Sequence, residues 1–186
     1  MRIAVVDVET TGFGRQHVVW QIASALVDTH SRVISEPVHL EIQLTPEELE
    51  VSSEKALEVS GWSEERNDNA RSRDEALQLF SGWLQHVSPV RMCAHNARFD
   101  RRMCVEGRLV PADMPWACTM LGIQSFQRLH QCHLENNKLA TLAGLCGYTQ
   151  TRAHENALDD VYASANGLLY LLHAGVPIEQ MFVPKQ

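Results

Sequence analysis

Three short stretches of this sequence place acidic residues where carboxylates can do chemistry. The first is Asp7-Val8-Glu9, which closes an apolar, β-branched run beginning at Ile3. Residues two apart on a strand face the same side, so both carboxylates leave the strand end together. Thr10-Thr11-Gly12 follows, and a glycine there permits a tight turn and a close approach of backbone amides to a ligand. The second stretch is His95-Asn96-Ala97-Arg98-Phe99-Asp100. It puts Asp100 in the first turn of a helix, a position that helix capping and the helix dipole also favour. The third is His154-Glu155-Asn156-Ala157-Leu158-Asp159, with Asp160 doubling the last acid. The spacing from His154 selects Asp159, and Asp160 stands as its substitute.

Each stretch alone also reads as an ordinary strand tip or helix cap. Together they deliver an acid from three separate elements, with one histidine beside the last. Four clustered carboxylates repel one another, and two divalent cations would offset them. That is the arrangement of a two-metal site for displacement at phosphorus. An all-carboxylate donor set favours Mg²⁺ or Mn²⁺ over Zn²⁺. A histidine beside such a site can take a proton from water.

The elements that must position these groups are legible in outline. Ile3 to Val8 reads as a buried strand, Val18 to Asp28 as a second and Arg32 to Gln43 as a third, with a polar turn at Asp28-Thr29-His30-Ser31. Thr45-Pro46-Glu47-Glu48 is a capping box with proline at the first helical position. It predicts two short helices before a stop at Gly61. Residues 41–65 hold eight glutamates against one lysine, which reads as a solvated acidic face. Ala76, Phe80, Trp83, Leu84 and Val87 follow helical spacing and read as core rather than as a base-stacking platform. Val90 to Ala94 reads as a strand, Asn96 to Glu106 as a helix, and Lys138 to Cys146 as a short helix ended by Gly147. Leu158, Val161, Ala165, Leu168 and Leu172 stripe a C-terminal helix. Strands followed by helices, then a strand and more helices, predict an α/β domain with a mixed sheet.

Composition narrows the reading further. The 186 residues fit one domain spanning 1–186, and 45 % apolar content supplies a core. No apolar run approaches the ~20 residues of a membrane span. Asp7 interrupts the N-terminal apolar run too early for a signal peptide, so a cytoplasmic protein is the default expectation. The net charge is −7, from 16 basic and 23 acidic residues. Grip on long duplex DNA through phosphate neutralisation calls for the opposite sign. Cys93, Cys104, Cys118, Cys132 and Cys146 are odd in number and contain no CxxC, which predicts free, buried thiols. His130-Gln131-Cys132-His133 lacks the paired spacing of a structural zinc site and reads as a polar loop.

At these residues the sequence resembles the DEDDh 3′→5′ exonucleases, the DnaQ-like family with a ribonuclease H-like fold. The resemblance rests on Asp7 to Gly12, His95 to Asp100 and His154 to Asp159, supported by Val59-Ser60-Gly61-Trp62 and Lys138 to Ala143. It runs from about Arg2 to Leu172 and is strongest toward proofreading-subunit and exonuclease X-type enzymes. It implies a five-stranded mixed sheet flanked by helices. It implies metal ligation by Asp7, Glu9, Asp100 and Asp159, two Mg²⁺ (or Mn²⁺) ions, and His154 as general base. Thr10, Thr11, Gly12, Phe13, Asn96 and Phe99 would bind or shape the site for the terminal nucleotide, while His95 would support the strand end. The reaction implied is hydrolysis from a free 3′ end to 5′-nucleoside monophosphates. Ala117-Cys118-Thr119-Met120 departs from the Asp-Thr of many relatives at a place that is not a metal ligand.

The acidic balance favours short or frayed single-stranded 3′ ends over long duplex tracts, and the resemblance to DNA enzymes implies DNA as the partner. Arg91, Arg98, Arg101, Arg102 and Arg108 cluster around Asp100 in sequence and are candidates for phosphate contact. An RNA-directed enzyme of the same family, or a non-catalytic binding module on the same fold, are the alternatives. No membrane association is expected, and no clamp-binding peptide indicates a polymerase partner.

Overall fold

The computed structural model describes residues 1–151 and 156–184. A long first strand organises it. Strand β1 (Arg2–Thr10) pairs antiparallel with β2 (Val19–Asp28), which pairs antiparallel with β3 (Val33–Glu41). On its other side β1 runs parallel to β4 (Arg91–Ala94), and β4 runs parallel to β5 (Trp116–Cys118). A two-residue strand, β6 (Phe182–Val183), adds antiparallel to β5. The order is β3-β2-β1-β4-β5-β6, six strands where five were expected. A pair of residues carries no periodicity, so nothing in Phe182-Val183 announces a strand; pairing with β5 creates it.

The pleat of β1 divides the core in two. Ile3 and Val5 face one side, with Ala23, Ala25, Cys93 and Ala117. That side is covered by α6 (Thr119–His130), α7 (Leu139–Cys146) and α8 (Ala157–His173). Ala4, Val6 and Val8 face the other side, with Ile22, Met92 and Trp116. There α4 (Arg73–Val87) contributes Ala76, Phe80 and Leu84, and α5 (Ala97–Glu106) contributes Met103 and Cys104. The strand is apolar at every position from Ile3 to Val6 because both faces are covered. Gly167 of α8 is held to its size by α7: a Cβ there would lie 2.3 Å from Leu142 Cδ2.

Between the sheet and α4 lie three short helices, α1 (Pro46–Glu50), α2 (Glu54–Val59) and α3 (Glu64–Asn69). Thr45 and Glu48 form the expected capping box, and Gly61 adopts the left-handed conformation after α2. The glutamates of this region are not all solvated. Glu41 pairs with Arg66 and Glu48 with Arg73. Trp83 stacks on Phe80 and donates its indole N–H to Glu36 O, so it serves packing. All five cysteines are free; Cys93, Cys104 and Cys118 are buried, but Cys132 is exposed, contrary to expectation. His130 is bonded to Ala174 O, and Gln131 ends α6 in the left-handed region, which makes residues 130–133 a helix-stop loop. No helix among the described residues is long and apolar enough to cross a membrane.

Candidate active site

Strand β1 outruns its parallel neighbour. Its pairing with β4 ends at Val5↔Cys93, while its pairing with β2 continues to Glu9↔Gln21 and Thr10↔Val19. Asp7 and Glu9 occupy this overhang and continue the register of Ile3 and Val5, toward α8. The start of α8 is seated there by Gln21. This fully buried residue accepts the Ala157 backbone N–H on Oε1 at 2.6 Å. Carboxylate oxygens of Asp7, Glu9 and Asp160 then lie within 4.8 Å of one another. The C-terminal ends of parallel strands, where two neighbours part, are the usual place for a ligand crevice in such sheets.

Asp100 joins from the first turn of α5 and is buried. Its carboxyl accepts hydrogen bonds from the backbone amides of Asp100 and Val8, which favour the charged form. Burial and the nearby Asp160 outweigh them, and its pKa is pushed up to about 7. Burial also holds Asp7 well above the ordinary carboxylate range, with Asp100, Glu9 and Asp160 adding repulsion. Acids that resist ionisation beside one another fit a cation, which would relieve both the burial cost and the repulsion. The donors are all carboxylate oxygens, the set suited to a hard divalent ion.

The third acidic stretch differs from the expectation. Asp160, not Asp159, meets Asp7 and Glu9. Asp159 accepts the Tyr148 hydroxyl at 2.7 Å and the Thr151 backbone N–H at 2.7 Å. The physical reason is helical geometry. At about 100° per residue, Asp160 shares the buried face of α8 with Ala157, Ser164, Gly167 and Leu171, whereas Asp159 lies a further ~100° round the helix. The spacing from His154 pointed to Asp159, and the apolar stripe does not separate the two acids; the small buried residues Ser164 and Gly167 mark the face that Asp160 shares. His154 lies outside the described residues.

The loop after β1 is built from its own residues. Thr11, expected to touch the nucleotide, is instead buried and engaged in the loop. Its N–H donates to Val18 O, its hydroxyl accepts the Val18 N–H, and its carbonyl accepts the Ser53 N–H from the start of α2. The Thr10 hydroxyl donates to Gly12 O. Gly12 has φ +152°, and a Cβ there would lie 2.6 Å from His17 Nε2. Phe13 is 80 % exposed at the tip, its ring centroid 5.5 Å from that of Phe99. Arg102 bridges the two, with its guanidinium over the Phe99 ring and Nη2 donating to Phe13 O at 2.7 Å. Asn96 begins α5 but makes no capping bond with its side chain, and it is exposed.

His95 supports the strand end, as expected. Its Nε2 must donate to the Asn137 carbonyl, at 2.9 Å, which leaves Nδ1 to accept the Thr119 hydroxyl, also at 2.9 Å. Burial lowers its pKa, keeping the ring neutral. Cys118 Sγ donates to His95 O, so the unusual Cys118-Thr119 pair is spent on this histidine from both sides. The arginine cluster divides. Arg91 lies over the Phe182 ring, and Arg101 donates to Pro184 O and Ala112 O, both against chain segments away from the carboxylates. Arg102 stands at the loop, on the same helix as the exposed Arg98. The sequence reading passed over Gln21, Tyr148 and Gln150. Gln21 had a signal, a lone amide in an apolar strand; the other two sit in a loop without periodicity.

A mixed sheet covered by helices on both faces, with clustered acids at the end of its first strand, defines a ribonuclease H-like nuclease fold. The exonuclease family profile matches residues 4–168, and the chain belongs to that family of hydrolytic enzymes. The resemblance to an exonuclease family is borne out by that profile, as is the ribonuclease H-like fold by the architecture. The chain is similar in structure to the nuclease domain of 3′hExo, a DEDDh family member bound to rAMP. That match has 15 % identity and a TM-score of 0.77, and covers 100 % of this chain and 97 % of the other. Exonuclease X in complex with 5′ overhanging duplex DNA matches at 24 % identity and a TM-score of 0.69, covering 96 % of each chain. E. coli exonuclease I in complex with a dT13 oligonucleotide matches at 16 % identity and a TM-score of 0.69, covering 90 % of this chain and 40 % of that one. No curated protein sequence matches at a significant level.

Proposed function

We propose that this exonuclease removes nucleotides from the 3′ end of single-stranded or frayed DNA and releases 5′-nucleoside monophosphates. The observation that carries the reading is the convergence of Asp7, Glu9, Asp160 and Asp100 at the overhanging end of β1, whose following loop carries the exposed Phe13. Asp7, Glu9, Asp100 and, in place of Asp159, Asp160 would hold two Mg²⁺ or Mn²⁺ ions. Such ions supply a nucleophilic water at neutral pH and offset charge on the phosphoryl oxygens.

The chain's own residues orient the substrate and move the proton. Phe13, backed by Phe99, offers a face to the terminal base without choosing its identity. The backbone around Gly12 and the uncommitted amide of Asn96 lie beside the sugar and phosphate. His154 takes the proton as the water oxygen bonds to phosphorus and the bond to the 3′ oxygen of the shortened strand breaks. Arg98 and Arg102 are the cations nearest the following phosphates.

A single strand is favoured over a duplex because a net charge of −7 allows few phosphate contacts. The DNA complexes of exonucleases X and I lend support. The rAMP bound by 3′hExo supports an RNA reading, which contacts to a 2′-hydroxyl would decide. The test is digestion of 5′-labelled DNA and RNA of one sequence, single-stranded and with recessed 3′ ends. Each is run with Mg²⁺, Mn²⁺ or EDTA, beside Asp7→Asn and His154→Ala. The expected result is a ladder shrinking from the 3′ end, fastest on single-stranded DNA and absent with EDTA or either variant. Faster RNA digestion would reassign the substrate. No ladder on any strand would overturn the reading.

A further inference from the structure

Two adjacent carboxylates open α8, and the chain treats them differently. Asp159 is held from outside the helix by Tyr148 and Thr151. Asp160 turns to Asp7 and Glu9, and on the way its Oδ1 accepts a hydrogen bond from Gln150 Nε2 at 2.5 Å. We propose that Gln150 is a positioning residue for the cation site, holding the Asp160 carboxylate in the orientation that meets Asp7 and Glu9. This rests on the metal-binding reading above.

Three observations carry it. Gln150 does not hang from a free loop: the Tyr148 N–H donates to Ala143 O at the end of α7, and both oxygens of Asp159 clasp residues on either side of it. Its amide is therefore delivered from a fixed backbone. Its chemistry is also suited to the task. A lysine or arginine there would compete with the cation for the Asp160 charge, whereas a neutral amide fixes the carboxylate plane and leaves the charge in place. Finally, the clasp on Asp159 removes a rival carboxylate one residue away, so one acid of the pair folds the segment and the other is presented. Partners that orient a metal-binding carboxylate in this way typically govern metal affinity by about 10–100-fold.

The experiment is calorimetric titration of Mn²⁺ into the protein without nucleic acid, with free Mn²⁺ counted by electron paramagnetic resonance. The proteins are wild type, Gln150→Met, Gln150→Asn and Asp160→Asn, each with its melting temperature. Gln150→Met keeps the length and removes the donor; Gln150→Asn keeps the amide but withdraws it by one methylene. Gln150→Met is expected to weaken Mn²⁺ binding about 10–100-fold with an unchanged melting temperature, and Gln150→Asn to weaken it less. Digestion by Gln150→Met should recover toward wild type when Mn²⁺ is raised to saturation. Mn²⁺ binding by both Gln150 variants equal to wild type would overturn the assignment while leaving the metal site standing. Wild type that fails to bind Mn²⁺, or Asp160→Asn that binds it undiminished, would bring down the metal site and the role of Gln150 with it.

Discussion

The buried acids make the metal-free protein sensitive to pH in an unusual direction. Asp100 has its pKa raised from its ordinary 3.8 to about 7, chiefly by burial, and Asp7 is raised as well. A carboxyl with a raised folded-state pKa keeps its proton at pH values where the unfolded chain has lost it. Its contribution to stability is complete below pH ~4 and disappears as pH rises through ~7. At ~1.4 kcal/mol per pH unit between those limits, Asp100 alone removes about 3 kcal/mol between pH 5 and pH 8. For a chain of this length that is a fall of roughly 6–12 °C in melting temperature. The assay is thermal melting in EDTA at pH 5, 6, 7 and 8 for wild type and Asp100→Asn. Asparagine can still accept the Val8 amide but carries no titrating proton. Groups remote from the acidic cluster titrate alike in both proteins, so the difference between the two curves reports Asp100 together with the repulsion it exerts on Asp7. That difference should widen in favour of Asp100→Asn toward pH 8. Saturating Mn²⁺ should stabilise wild type most at high pH, because the cation binds the ionised acids. A difference curve that is flat, or that slopes the other way, would refute the argument from burial.

Two further outcomes follow from the same geometry. Asp159→Asn should lower the melting temperature by several degrees, since it weakens the bonds from Tyr148 and Thr151, at about 1–3 kcal/mol, and should weaken Mn²⁺ binding only as far as it loosens Gln150. Asp160→Asn should weaken Mn²⁺ binding far more without lowering the melting temperature, and a binding titration beside a melt separates them. Arg102→Ala frees the Phe13 loop from α5, so steady-state digestion should show KM raised about 5-fold for ~1 kcal/mol of lost contact, with kcat nearly unchanged.

The fold was legible wherever the chain is buried on both faces or strongly periodic. β1, β2, α4 and α8 announced themselves because apolar residues recur at strand or helix spacing. The capping box at Thr45 marked α1 from local chemistry alone. β6 was invisible, because it exists only through its pairing with β5. At the site, Asp7, Glu9 and Asp100 could be read because strand parity and a first helical turn fix where they go. The spacing from His154 selects Asp159, and the apolar stripe does not correct it, because the face of α8 that carries Asp160 is buried through small residues, Ser164 and Gly167, that carry no apolar signal. Thr11 and the arginines show a different gap. Whether a polar group faces a ligand or its own loop depends on partners remote in sequence, such as Val18 and Ser53 for Thr11, or Pro184 for Arg101. No local pattern encodes those.

The tight contact between Gly167 and Leu142 bears on how this protein can change. α8 is at once a wall of the core and the bearer of Asp160, which lies seven residues, or ~10 Å along the axis, from that contact. A methyl group at Gly167 has no room beside Leu142, so the Leu142 side chain or the helix that carries it must shift. Any substitution that re-seats α8 for stability therefore also moves a carboxylate of the acidic cluster. Directed evolution toward heat resistance on this face should thus produce variants that melt later but require more metal. On the opposite face α5 carries Asp100, but α4 contributes no acid to the cluster, and α4 is the safer place to accumulate stabilising mutations.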